Sequence, residues 1–232
     1  MLDLEGKRIR VIVGHYGSGK TEFSVNYAIK LAEQGKKTAL VDLDIANPYF
    51  RSREKKQILV EKGIDVYSNT FDYDITADLP AVTARIKAPL EDSGCITVID
   101  AGGDDSGARI LMQFQKYLTP EDSDIFCVIN GNRPETNTVK GAEHHLVRIE
   151  KETGLRVTGL INNTHLIRAT GTKDIVKGYE LCRALSKLHQ IPIKYHCCME
   201  ELQEELRRET STFTDFSIFP IHLYMRDTWL DR

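Results

Sequence analysis

Residues Gly14-His15-Tyr16-Gly17-Ser18-Gly19-Lys20-Thr21 fit the pattern G-x-x-x-x-G-K-[ST]. In such a loop the glycines let consecutive backbone N–H groups converge on a phosphate pair. The lysine adds a fixed charge, and the Ser/Thr hydroxyl can ligate Mg²⁺. The pattern constrains a fold only when a strand precedes it and a helix follows. Ile9-Arg10-Val11-Ile12-Val13 reads as a buried strand. Phe23, Tyr27, Ala28, Leu31 and Ala32 then recur at helical spacing, with Gly35 as the C-cap. The order is that of a phosphate-binding P-loop.

The chain has 232 residues, 28% of them charged, enough for one well-buried core. No Pro/Gly/Ser-rich linker or shift in composition divides it, so residues 1–232 read as a single nucleotide-binding domain. The formal net charge of −3 gives no electrostatic footprint for nucleic acid. Met1-Leu2-Asp3-Leu4-Glu5 is not a basic and then apolar signal sequence. No apolar run approaches the roughly 20 residues of a spanning helix, so no membrane is expected. Five cysteines, an odd number, suit reduced thiols and a cytoplasmic location.

Apolar runs alternate with helical patterns along the whole chain. Strands are expected at Thr38–Leu43, near Asp65–Tyr67, and at Cys95–Asp100, Asp124–Ile129, Val157–Ile161 and Ile191–Tyr195, the last core strand. Helices are expected over Ser52–Glu61, Pro80–Leu90, Ala108–Tyr117 and Met199–Arg208, and where Val139, Ala142, Leu146 and Ile149, and then Ile175, Tyr179, Cys182, Leu185 and Leu188, recur. Near-continuous apolar strands alternating with helices predict an α/β fold: a three-layer, doubly wound, mostly parallel sheet. Ligands in such sheets sit beyond the carboxyl ends of the strands.

Those strand ends carry chemistry. Val41-Asp42-Leu43-Asp44 sets two carboxylates on one face of a strand. Asp100-Ala101-Gly102-Gly103 is a D-x-x-G pattern, in which the Asp can hold Mg²⁺ through a water and Gly103 can offer its N–H to a γ-phosphate. The Gly-Gly-Asp-Asp-Ser-Gly run that follows Ala101 suits a switch segment. Asn162-Asn163-Thr164-His165 ends another strand in amides, which match the N6 and N7 edge of adenine. There is no Asn-Lys-x-Asp, the usual guanine-reading arrangement, so ATP is favoured over GTP.

With these motifs placed, nearly the whole chain resembles the MinD/ParA-like (CobQ/CobB/MinD/ParA) ATPases of the SIMIBI class of P-loop proteins. The run Val41–Arg51 is similar to a branch of that class known only as ATP-binding. The resemblance implies Mg·ATP, slow hydrolysis to ADP and often a nucleotide-sandwich homodimer. It assigns nucleotide contacts to Tyr16, Gly17, Ser18, Gly19, Lys20, Thr21 and Glu22, with Lys20 stabilising charge on the phosphates. It places Mg²⁺ on Thr21, supported by Asp42 and Asp100, and makes Asp44 the residue that orients the attacking water. Asn163, and next to it Asn162, align with the adenine-reading amide, and the loop at Cys197-Cys198-Met199-Glu200 would put Cys198 against the base.

One position departs from that pattern. The MinD/ParA branch carries a second lysine early in the loop, where this chain has His15. A neutral histidine does not replace a permanent cation. Arg51 or Arg53 is the expected substitute, since arginine stays charged and its planar fork pairs with phosphate oxygens. Cys95, Cys127 and Cys182 read as packing residues, and His196-Cys197-Cys198-Met199 as small thiols rather than a metal site, having no C-x-x-C spacing. His144-His145 is expected at a helix surface. Phe213, Phe216, Phe219, Tyr224 and Trp229 read as a tail packed back on the domain.

The resulting expectation is a Mg·ATP-dependent switch ATPase that changes how an unidentified partner protein docks. Two alternatives stand beside it. One is a small-molecule kinase or ATP-dependent ligase similar to dethiobiotin synthetase. The other is a regulatory module that binds ATP without turnover.

Overall fold

The computed structural model describes residues 2–43, 56–68, 79–103 and 110–225. Eight strands among them hydrogen-bond in the order β3-β2-β4-β1-β5-β6-β7-β8. The chain clusters into two compact units, one of residues 4–12, 20–124 and 223–232, the other of 1–3, 13–19 and 125–222.

In the first of these, β1 (Ile9–Gly14), β2 (Thr38–Asp42) and β4 (Ile96–Asp100) are buried almost throughout, and β3 (Ile64–Ser68) forms the more exposed end. All their pairings are parallel. Parallel strands need crossovers, and three helices supply them: α1 (Lys20–Glu33), α2 (Lys56–Glu61) and α3 (Leu79–Glu91). Phe23, Tyr27, Ala28 and Leu31 of α1 are buried, as their spacing predicts. Each large apolar side chain buried this way contributes roughly 1.5–3 kcal/mol. The helix ends at Gly35, whose φ of 77° is the left-handed turn that closes helices. The Arg8 guanidinium donates to the carbonyls of Leu90 (2.9 Å) and Asp92 (3.0 Å), covering the carboxyl end of α3.

The other unit contains β5 (Ser123–Ile129), β6 (Gly159–Asn162), β7 (Ile193–Met199) and β8 (Ile218–Ile221), paired in parallel with one another. Its helices are α4 (Val139–Thr153), α5 (Thr172–His189) and α6 (Gln203–Glu209). The Thr138 hydroxyl caps α4 by accepting from Gly141 N, and Gly154, φ 67°, ends it.

The structure corrects the sequence reading at several points. Ile191–Tyr195 is not the last strand: β8 follows, built from residues read as tail. It is short and carries Pro220, which lacks an N–H and is tolerated at the edge of a sheet. β7 also runs on to Met199, so Cys197 and Cys198 lie on a strand and not in a loop. Residues 110–112 are helical and a 3₁₀ turn spans Gln115–Tyr117, in place of one continuous helix to Tyr117. Residues 200–202 likewise form a 3₁₀ turn before α6.

Candidate functional site

The loop after β1 is shaped by close approach and by pinned carbonyls. Gly14 has no room for a side chain, because a Cβ there would overlap the Val128 carbonyl. Gly17 and Gly19 take φ values of 71° and 83°, and Ser18 N donates to His15 O at 3.1 Å to close the turn. Three side chains donate to consecutive loop carbonyls. Arg133 Nε reaches Gly17 O at 2.9 Å, Asn130 Nδ2 reaches the same oxygen at 3.4 Å, and Asn163 Nδ2 reaches Ser18 O at 2.8 Å. In a trans peptide the C=O and the next N–H point opposite ways. Holding Ser18 O against Asn163 therefore aims the Gly19 N–H away from Asn163. This is how a loop becomes an anion-binding concavity. The donors are themselves fixed: Asn130 Oδ1 accepts from Asn132 N (3.0 Å) and His165 N (3.2 Å), and Asn163 N bonds Ile129 O at 2.8 Å. The Ser18 hydroxyl oxygen is buried with no hydrogen-bond partner among the described residues. Tyr16, by contrast, is 60% exposed.

The two amides at the end of β6 have different surroundings. Asn162 is fully buried. Its Nδ2 donates to Ile175 O (2.9 Å) and lies 3.1 Å from His196 Nδ1, while its Oδ1 accepts from Thr164 N (3.2 Å) and Thr164 Oγ1 (2.8 Å). Both ends of this amide are occupied within the protein, so its geometry is that of a structural hub. Asn163 is the amide attached to the loop.

Cys198, which the resemblance puts against the base, lies on β7. It is buried with Ile175 and Leu206, and burial pushes its thiol up to about 12. Cys197, its neighbour on the opposite face of β7, is also buried and shifted well upward by burial. His196 stacks on Phe216 at 3.9 Å with Tyr179 edge-on, and burial pushes it down to about 3.

The other unit holds the carboxylates. Asp42 and Asp100 end β2 and β4 as register partners, and both are buried. Register partners on parallel strands present their side chains to the same face. Ser24 Oγ, one turn into α1, donates to Asp100 Oδ1 at 3.1 Å. Two neighbouring buried carboxylates repel unless a cation or a proton accompanies them. This donor set therefore suits a hard divalent cation such as Mg²⁺. Lys20 is buried and Thr21 half-buried at the start of α1. Glu22 accepts from Tyr224 N (2.6 Å) and Met225 N (3.2 Å), so it anchors a later segment of the chain. Gly103 is half-buried beyond β4. Asp44, Arg51, Arg53, the Asp104–Gly107 stretch and Trp229 lie outside the described residues.

Two features went unread in the sequence. His145 is not merely a surface residue: its ring packs against His15 of the loop, with centroids 4.2 Å apart. Burial, and then the neighbouring His15 and His144, lower its pKa. Asn130 and Arg133 were missed as well. The signal that could have found them was their place, just past the carboxyl end of a central strand.

Residues 10–176 match the model of the CobQ/CobB/MinD/ParA nucleotide binding domain. Among solved structures, the chain is similar to the cell division protein FtsY of Thermotoga maritima (22% identity, TM-score 0.50, 83% of this chain and 62% of that one). It is also similar to chloroplast FtsY of Physcomitrella patens (16%, 0.55, 84% and 59%). FlhF complexed with GTP/Mg²⁺ is a third (15%, 0.54, 83% and 66%). The chain thus spans less than two thirds of each, and at these identities the likeness is one of fold. No curated protein matches its sequence. The pinned glycine loop, the parallel sheet order and the match over residues 10–176 together make this chain a member of the CobQ/CobB/MinD/ParA nucleotide-binding domain family, with the α/β fold of SIMIBI-class P-loop NTPases.

Proposed function

We propose that this chain is a single-domain, cytoplasmic, Mg²⁺-dependent ATP-binding protein that hydrolyses ATP slowly and acts as a nucleotide switch on a partner protein. The observation that carries the reading is the glycine loop whose Gly17 and Ser18 carbonyls are held by Arg133 and Asn163. A loop held in this way meets an anion with little reorganisation. The family match, which runs through residues of both compact units, supports one domain.

In this reading the backbone N–H groups from Tyr16 to Glu22 surround the phosphates and Lys20 adds its charge. Thr21, Asp42 and Asp100 hold Mg²⁺, which neutralises charge on the phosphate oxygens. Gly103 donates to the γ-phosphate. Asp44 orients a water whose oxygen bonds to the γ-phosphorus as the bond to the β-bridging oxygen breaks, giving ADP and phosphate. Asn163 stands at the base side, and the segments beyond Asp42 and Asp100 order with ATP and relax after hydrolysis. The absence of Asn-Lys-x-Asp supports ATP over GTP. A homodimer that sandwiches two nucleotides is the assembly most in keeping with the family. No helix among the described residues is long and apolar enough to cross a membrane.

The test is nucleoside diphosphate release from purified protein with Mg·ATP or Mg·GTP across a protein concentration series. Slow turnover preferring ATP, with specific activity rising with concentration, supports the dimeric switch. Turnover that appears only with a small-molecule acceptor supports a kinase or ligase instead. Binding without turnover supports a regulatory module, and a preference for GTP overturns the base assignment.

A further inference from the structure

The loop's second position carries His15, whose ring is packed against His145 and which is no permanent cation. A guanidinium sits elsewhere on the same loop. Arg133 Nε donates to Gly17 O at 2.9 Å, and the Arg133 Cζ and Nε lie 2.8 Å from where a Cβ on Gly17 would stand. The group therefore lies flat on the loop, and only glycine leaves it that place. Its backbone is fixed too: Arg133 N bonds Asn130 O at 3.2 Å, and Thr136 N bonds Arg133 O at 3.0 Å. Arg133 forms no ion pair with any described residue, and its Nη1 and Nη2 have no hydrogen-bond partner among them. With Nε engaged, four N–H donors and a full positive charge remain beside an anion-binding loop.

We propose that Arg133 is a second phosphate-site cation of this chain, in addition to Lys20. Its Nε holds the Gly17 carbonyl, while its Nη edge pairs with phosphate oxygens of a nucleoside triphosphate bound at the loop. This rests on the nucleotide reading above and replaces the expected Arg51 or Arg53 with a residue of the same polypeptide that precedes α4. The arrangement needs no second subunit to complete the charge.

The experiment is calorimetric titration of Mg·ATP, Mg·ADP and AMP into wild type, Arg133→Gln and Arg133→Lys, at low and high salt. Arg133→Gln is expected to weaken ATP by about ten- to hundred-fold, ADP less and AMP least, with a shallower salt dependence. Arg133→Lys, which keeps the charge, is expected to retain the graded preference and recover most of the ATP affinity. Equal loss for all three nucleotides with an unchanged salt dependence would make Arg133 a brace of the loop only and overturn the proposal. So would unaltered ATP binding. If Arg133→Gln fails to fold, the ATP-to-AMP affinity ratio of Arg133→Lys decides: a ratio near wild type supports the charge, and a collapsed ratio refutes it. Wild type that binds none of the three overturns the nucleotide reading itself, before any variant is compared.

Discussion

Gly178 lies in α5, far from every motif in the sequence, yet it is one of the most confined positions in the chain. A methyl group there would overlap Asn162 Oδ1 and Thr164 Oγ1 and stand 2.6 Å from Thr164 Cβ. Those atoms cannot swing aside freely. Thr164 Oγ1 donates to Asn162 Oδ1 at 2.8 Å and accepts from Gly131 N at 2.9 Å, and Asn162 Nδ2 is held by Ile175 O at 2.9 Å. Gly178→Ala gains about 1 kcal/mol of helix propensity. Against this, overpacking a tight site costs about 2 kcal/mol. Separating Thr164 from Asn162 leaves a buried polar group unsatisfied, at about 2 kcal/mol more. The net expectation is a loss of about 3 kcal/mol, or a melting temperature lower by roughly 6–12 °C for a chain of this size. Urea unfolding followed by circular dichroism measures it, with an unchanged m-value confirming that the same surface is exposed. A variant as stable as wild type, or more so, would refute the reasoning, because helix propensity alone would then have decided the outcome.

Asn163→Ala should weaken ATP about ten-fold by releasing Ser18 O, whereas Asn162→Ala should lower stability and leave the ATP-to-GTP preference unchanged; calorimetry on both variants separates the two roles. His196 is held near 3 against an ordinary 6.5, so the unfolded chain binds its proton first. Its contribution to stability is present above pH 6.5 and lost as pH falls, by about 2 kcal/mol at pH 5. His196→Gln should therefore show a correspondingly shallower loss in denaturant unfolding between pH 7 and 5. None of the five cysteines is in a disulfide, all are buried, and burial pushes the Cys198 thiol up to about 12. Ellman's reagent should accordingly leave the native protein unlabelled at pH 8 and label five thiols after unfolding; rapid native labelling would contradict the burial.

Legibility in the sequence followed the strength of local pattern. The strand–loop–helix around Gly14–Thr21 was readable because apolar runs and glycines at fixed spacing leave few other structures. The same was true of the strands ending in Asp42, Asp100 and Asn162, whose nearly unbroken apolar composition is what a sheet covered on both faces requires. β8 was not readable, since four residues containing Pro220 resemble a turn until a neighbouring strand is there to pair with. Cys197 and Cys198 were misplaced because β7 runs four residues past Tyr195, through a histidine and two thiols that give no strand pattern. The hub role of Asn162 was hidden for another reason. An amide at a strand end looks alike whether it faces a ligand or a helix, and only Gly178 and His196, distant in sequence, decide which. Arg133 carries no local signal beyond its place just past the end of β5. Its significance comes from Gly17, 116 residues earlier, whose carbonyl it holds.

The central claim is that the glycine loop binds a nucleoside triphosphate together with Mg²⁺, and equilibrium titration of ATP tests it most directly. The titration is run with and without Mg²⁺, on wild type and on Lys20→Ala. Tight binding that requires Mg²⁺ and is lost in Lys20→Ala is the predicted result. Binding indifferent to both the metal and Lys20 would contradict the account, because the loop would then not be the site.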